Sequence, residues 1–244
     1  MPKIVTENLS YVYKNKKAGD ITALDRVSTE FLSDGFNCVV GYSGCGKTTL
    51  LKCIAGLYEY GGKIFFDGNN VDELTPRDRN IAFVYQEFVL YPHLTVFDNI
   101  AYPLKLAGAD REEIVSRVNE IAELLEIEHC LTRKPKSISC GQQQRTAIAR
   151  ALVKRPSVCL LDEPLSNIDA QSRIKERRLI KEAVKARGCT AVYVTHDFIE
   201  AISLADKLIV MADGKCVIDG APLDVYDSDN EVVRYLKGQN DGIV

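Results

Sequence analysis

From Phe36 onward, short runs of apolar and β-branched residues alternate with stretches whose apolar positions recur at helical spacing. That alternation predicts an α/β fold with buried strands. Residues 36–40 read as a strand and 48–56 as the helix after it. Residues 63–66 and 81–84 read as further strands. Residues 157–161, 191–195 and 207–211 are short and largely apolar, as strands buried on both faces are. Gly214 and Gly220 bracket a last strand at 215–219. Between about Glu87 and Arg155 the pattern is mostly helical. Asp110 with Glu113 three residues later makes a capping-box-like start. Ile114, Val118, Ile121, Leu124 and Leu125 follow at helical spacing. The pattern therefore predicts a helical subdomain, residues 87–155, inserted into an α/β core of residues 1–86 and 156–226. The stretch 227–244 is short and polar and is expected to fray.

Composition limits the function classes. The chain has 244 residues, 46% hydrophobic and 27% charged, enough for a sizeable core. With 31 basic and 34 acidic residues the formal charge is -3. No basic excess points to nucleic acid, and no polybasic run points to a membrane surface. The basic cluster at 173–178 reads as a solvated helix face. No stretch approaches the roughly 20 apolar residues of a membrane span. The N-terminus lacks the apolar core of a signal peptide. The chain is expected in the cytoplasm unless a partner holds it at a membrane. Eight cysteines, at 38, 45, 53, 130, 140, 159, 189 and 216, include no Cys-x-x-Cys pair. Reduced thiols in apolar surroundings are expected.

The candidate chemistry starts at residues 41–48, Gly-Tyr-Ser-Gly-Cys-Gly-Lys-Thr. They fit the phosphate-loop pattern, with a predicted strand before and a helix after. Gly41, Gly44 and Gly46 let the backbone approach phosphate, and the helix start adds partial positive charge. Ser43, Cys45 and Thr49 belong to the same cradle. Lys47 is placed to reach the β and γ phosphates of ATP, and Thr48 to ligate Mg²⁺. A second motif, residues 158–163, is an apolar strand ending in Asp162 and Glu163. Asp162 would hold Mg²⁺, and Glu163 would polarise the attacking water as general base. Ser139-Cys-Gly141-Gln-Gln-Gln-Arg145 precedes a helix, and His196 follows a strand. Alone, the first is often only a helix cap and the second a structural histidine.

In this order, and with the two acids, these segments resemble the signature loop and switch histidine of ATP-binding cassette (ABC) ATPases. The resemblance covers nearly the whole chain. Gln86 matches the family's Q-loop, and Ser166-Asn-Ile-Asp169 its D-loop. Tyr13 matches the aromatic that stacks on adenine, with Tyr11 as the alternative. Residues 91–100, 162–169, 204–206 and 220–226 look like the ATPase subunits of carbohydrate-uptake importers, although polyamine and iron importers have similar segments. The resemblance implies a P-loop NTPase core with an antiparallel β subdomain and an inserted helical subdomain. It implies a second ABC ATPase subunit facing this one, homo- or heterodimeric. It also implies transmembrane permease subunits, an extracytoplasmic solute-binding protein as an indirect partner, no nucleic acid, and a peripheral position on the cytoplasmic face. Ser139 and Gly141 would contact the γ-phosphate held by the partner, Asp169 would communicate across the interface, and Gln86 would sense Mg²⁺ and water. His196 would hold the transition-state γ-phosphate.

Two departures stand out. The family's usual signature is Leu-Ser-Gly-Gly-Gln, and here it reads Ile138-Ser139-Cys140-Gly141-Gln142. If position 140 needs φ > 0, cysteine there carries strain and weakens a composite site. The alternative is a tolerated substitution. Sugar-importer ATPases usually continue into a C-terminal regulatory domain, whereas this sequence stops at Val244; regulation through that domain is not assumed. Cys45, beside Lys47 and a helix start, is expected to have a lowered pKa, against the plainer reading of a routine small residue. Two other classes compete. A DNA-repair cassette would carry a long coiled coil, and a translation-type cassette would carry two cassettes; neither pattern occurs. A non-hydrolysing switch is opposed by Glu163 and His196.

Overall fold

The computed structural model describes residues 1–14 and 19–240. The chain divides into two compact units, residues 1–81 with 190–244, and residues 82–189. The first unit opens with β1 (Ile4–Tyr13), β2 (Ile21–Phe31), β3 (Phe36–Val40), α1 (Lys47–Ile54), β4 (Gly61–Phe66) and β5 (Asn69–Asn70). After β6 (Ile81–Val84) the second unit carries α2 (Val96–Leu106), α3 (Arg111–Leu124), α4 (Cys140–Leu152), β7 (Val158–Asp162) and α5 (Ala170–Arg187). The chain returns to the first unit with β8 (Thr190–Thr195), α6 (Phe198–Leu204), β9 (Lys207–Ala212), β10 (Lys215–Gly220), α7 (Pro222–Tyr226) and α8 (Glu231–Asn240). The fold is mixed α/β, with one antiparallel sheet and one group of largely parallel strands.

The antiparallel sheet runs β2-β1-β4-β5. In β2, Val27, Thr29 and Phe31 are buried while Arg26, Ser28 and Glu30 are exposed, the period-two pattern of a half-buried strand. Both β1 and β2 precede Phe36, outside the runs that the sequence marked. Their pairing shifts register between Thr6 and Leu9 and again on either side of Tyr11, and Asn8 and Arg26 take positive φ. Such bulges break the alternation that a sequence reading relies on.

The parallel group is built on β3, which pairs with β8 on one side and β9 on the other. β10 adds to β9 antiparallel. Every residue of β3 and β8 is buried. One polar side chain sits in this core. Asn37 Nδ2 donates to Leu32 O at 3.0 Å, Gly35 O at 3.2 Å and Ala191 O at 3.0 Å, and its Oδ1 accepts from Leu32 N at 2.7 Å. All its polar capacity is used, so it joins three backbone segments without an orphaned group. The stretch after Asp227, expected to fray, is helical over Glu231–Asn240. Val233 and Leu236, three apart, are buried against α6 and β9, which offsets the ordering cost.

In the second unit each helix start has its own cap. Thr95 accepts from Asp98 N at 3.0 Å, Asp110 from Glu113 N at 2.8 Å, and Asp169 from Ser172 N at 3.0 Å. α5 ends on Gly188 in the left-handed region. Ile114, Val118, Ile121 and Leu125 form the buried stripe of the α3 region. β7 lies beside β6 and is wholly buried. On α5 the basic run at 173–178 is solvated at Lys175 and Arg178, as expected, but Glu176 within it is buried. Among the described residues no helix is long and apolar enough to cross a membrane.

Candidate nucleotide-binding site

Residues 41–46 carry the chain from the end of β3 to the start of α1. Gly46 caps the helix at φ 105°. A Cβ there would lie 2.3 Å from Ala23 O, so glycine is required both by dihedral and by space. Gly44 has φ 84° and faces open space within 4 Å. A Cβ on Gly41 would lie 2.2 Å from Met211 O. Gly46 has no side chain with which to cap α1, and no acid stands in the first turn. The first-turn amides and the helix dipole are therefore arranged for an anion. Lys47 is buried, and its Nζ donates to Gly41 O at 2.7 Å and Tyr42 O at 2.9 Å. Its ammonium sits inside the turn, while Ser43 and Gly44 form the exposed lip.

Thr48 and Thr49 follow in the first turn of α1. The Thr49 hydroxyl is 3.0 Å from the Tyr13 hydroxyl, so Tyr13 at the end of β1 is tied to the helix. Tyr11 is stacked on Tyr58, with centroids 4.7 Å apart and planes 13° apart. Tyr13 meets both rings at nearly right angles and is 37% exposed. Of the two aromatic candidates, Tyr11 already has a ring face covered. His196 follows β8 and is exposed. Asp197 beside it caps α6 by accepting from Glu200 N at 2.9 Å, and Tyr193 donates to Glu200 at 2.8 Å. The backbone that carries His196 is thus fixed on both sides.

The expectation for Cys45 is corrected. Its side chain is buried beneath the loop, and burial pushes the thiol up. Lys47 Nζ, 3.9 Å from Sγ, opposes this only in part. Desolvation outweighs the neighbouring ammonium, which the sequence alone could not weigh.

In the second unit, β7 ends on Asp162, buried at 6% exposure. Glu163 follows at φ 43°, in the left-handed region that costs a non-glycine residue strain. Ser166 closes this turn, donating to Glu163 O from its backbone N at 3.2 Å and from Oγ at 3.0 Å. Asp169 is the N-cap of α5, and the backbone N–H of Ser172 holds its carboxyl below the usual range.

Ser139 is the N-cap of α4 in a complete capping box. Its Oγ accepts from Gln142 N at 3.3 Å, and Gln142 Oε1 accepts from Ser139 N at 2.9 Å. Gly141 lies in the first turn, where an added Cβ would stand 3.0 Å from Glu176 Oε1. Cys140 is the first residue of α4 and does not take positive φ. The strain expected of a cysteine at this position is therefore absent, because a helical residue needs no left-handed dihedral.

Three motif segments are joined within this unit. Cys140 Sγ donates to Asn167 O at 3.4 Å, and Asn167 Nδ2 donates to Gln86 O at 3.4 Å. Arg150 of α4 donates to Phe88 O at 3.1 Å and Val89 O at 2.9 Å, with its guanidinium over Tyr91 at 5.5 Å. The sequence singled out neither Asn167 nor Arg150. A helix arginine reads locally as an ordinary solvated charge, and its role appears only from the loop that it reaches.

The oxygen donors suit Mg²⁺. Thr48 offers a hydroxyl, Asp162 a carboxylate and Gln86 an amide oxygen. No group of three His, Cys, Asp or Glu residues that could hold a metal occurs among the described residues. This fits a hard cation carried by a few protein oxygens and completed by phosphate and water, rather than an all-protein cage.

Comparisons with known proteins agree. The ABC transporter family profile matches residues 24–166. The maltose/maltodextrin import ATP-binding protein MalK of Photobacterium profundum is 46% identical, over 86% of this chain and 58% of its own length. The trehalose/maltose import ATP-binding protein MalK of Thermococcus litoralis is also 46% identical, over 87% and 59%. The sn-glycerol-3-phosphate import ATP-binding protein UgpC of Cupriavidus necator is 44% identical, over 93% and 61%. The chain thus spans roughly three-fifths of the length of these relatives. Among solved structures, dimeric MJ0796, a bacterial ABC transporter cassette, matches with a TM-score of 0.79 and 31% identity. That match covers 90% of this chain and 98% of the cassette. The same cassette in a post-hydrolysis state, bound to ADP and Pi, matches equally well, with a TM-score of 0.79. With a loop-to-helix phosphate cradle, a strand-end acid pair and a capped signature helix all in place, the chain belongs to the ABC transporter family, as its ATP-binding cassette.

Proposed function

We propose that this chain is the ATP-binding and ATP-hydrolysing subunit of an importer of sugars or related small solutes. The observation that carries the reading is the start of α1, a glycine-capped helix end with Lys47 folded into the turn before it. Such an end is built to receive phosphate. The relatives named for maltose, trehalose and glycerol-phosphate import support the solute class.

In this reading residues 41–49 cradle the triphosphate of ATP, Lys47 pairs with its β and γ groups, and Tyr13 stacks on adenine. Thr48, Asp162 and Gln86 would hold Mg²⁺, which neutralises charge on the phosphates. Glu163 takes a proton from the water that attacks the γ-phosphorus, and His196 donates to the transferring group. Ser139, Gly141 and Asp169 act on the nucleotide of a second cassette, so turnover depends on a dimer. Permease subunits hold the pair at the cytoplasmic face of the membrane, with a solute-binding protein as an indirect partner. Residues 1–86 and 156–226 form the catalytic core and 87–155 the helical subdomain.

Replacing Glu163 with Gln tests this in the assembled transporter. The expected result is retained MgATP and turnover lowered at least about a hundredfold. Turnover at the wild-type rate would remove Glu163 from the base role. Absence of MgATP binding by the wild-type chain would overturn the whole reading.

A further inference from the structure

The phosphate loop is gripped from outside by the hairpin that joins β9 to β10. The hairpin turns on Asp213 and Gly214, with φ 47° and 74°, the two left-handed dihedrals of a tight two-residue turn. That geometry alone explains an Asp-Gly pair. It does not explain three further contacts with the loop. Gly214 N donates to Cys45 O at 3.1 Å. Met211 O lies so close to Gly41 that a Cβ there would approach to 2.2 Å. The Tyr42 hydroxyl donates to the Asp213 carboxylate and accepts from Asp213 N at 3.0 Å. The grip extends to β2. Asp25 N donates to Gly214 O at 2.8 Å, and Ala23 O fills the space beside Gly46 and Gly214.

Tyr42 is a loop residue whose side chain points away from the phosphate cradle, onto a turn 171 positions later in the chain. Its backbone carbonyl is one of the two that hold Lys47. The side chain and the carbonyl of one residue thus link the hairpin turn to the ammonium. We propose that Tyr42 and Asp213 are positioning residues: their hydrogen-bonded pair fixes the phosphate loop in its open, anion-ready shape and sets the register of Lys47. The proposal deepens the nucleotide-binding reading and rests on it. It assigns a binding role to the β9–β10 turn, which carries no recognised nucleotide motif.

The pair makes a charge-assisted bond, and a loop that must be ordered at binding costs affinity. Loss of either partner is therefore expected to weaken MgATP binding about three- to tenfold, the range of one such hydrogen bond. The test measures the affinity of the full chain for a fluorescent ATP analogue with Mg²⁺, in wild type, Tyr42→Phe, Asp213→Asn and the double variant. Thermal midpoints of the nucleotide-free proteins are measured alongside. The expected result is weaker binding in each single variant, no further loss in the double, and midpoints close to wild type. Wild-type affinity in both single variants overturns the proposal. So does a double loss equal to the product of the single losses, because the two residues would then act separately. A lowered midpoint with unchanged affinity also overturns it, since the pair would then be purely structural.

Amide hydrogen exchange on the nucleotide-free protein separates this proposal from the reading beneath it. Faster exchange at residues 43–46 in both variants supports the grip even if the wild type fails to bind ATP. Unchanged exchange sinks it whatever the affinity.

Discussion

The helix after the phosphate loop and the helix after the signature loop begin in opposite ways. α1 starts from a left-handed glycine with no side chain to offer. α4 starts from Ser139 inside a capping box that uses its own Gln142. Four backbone N–H groups at any helix start need partners. α4 supplies some from its own residues, so its start is stable alone and the Ser139 O–H can still donate outward. α1 supplies none from its cap, so its start depends on a ligand and on rigid surroundings. A site that binds nucleotide in its own chain can leave its donors for that nucleotide. A surface that meets nucleotide only through a second subunit must be stable while it waits. The contrast also explains why glycine cannot be exchanged at 46, whereas position 140 accepts a cysteine.

Four substitutions test this contrast, taken from the largest expected effect. Gly46→Ala places a Cβ 2.3 Å from Ala23 O at φ 105°. It should cost at least about 3 kcal/mol in denaturant unfolding and abolish nucleotide binding. A stable, binding-competent variant would show that the left-handed cap is dispensable. Lys47→Ala should leave the nucleotide-free fold near wild type and weaken MgATP about a hundredfold by calorimetry. Unchanged affinity would mean that the α1 start is not reserved for phosphate. Ser139→Ala removes the box and should lower stability by about 1 kcal/mol, with MgATP affinity of the single chain untouched. If affinity fell instead, the two helix starts would share one nucleotide. Cys140→Gly relieves no strain, because residue 140 is helical, and should change stability by less than about 0.5 kcal/mol. A clear gain in stability, or in ATPase rate of the assembled transporter, would restore the strained-signature idea.

Much of this was legible in the sequence. β3 and β8 were visible because strands buried on both faces are apolar along their whole length. The phosphate cradle was visible because its dihedrals demand glycine at fixed spacings. β1 and β2 were not, because their bulges break the period-two pattern and their buried positions include threonine. The sign of the Cys45 shift depended on burial beneath a loop, which neighbours in sequence do not report. The Tyr42–Asp213 pair spans 171 positions and leaves no local signal. Arg150 was hidden for the same reason, since an arginine near a helix end is read as solvated until its acceptors are seen.

Six of the eight thiols are buried and Cys216 is partly covered, which leaves Cys140 as the exposed one. Burial of its inner side still pushes the thiol up, so its alkylation should quicken toward alkaline pH. A maleimide dye would therefore collect at the front of α4 before any other position, with no engineered cysteine. Quenching of that dye on adding MgATP would time the arrival of a second cassette, and the wild-type chain would serve as its own optical sensor of assembly.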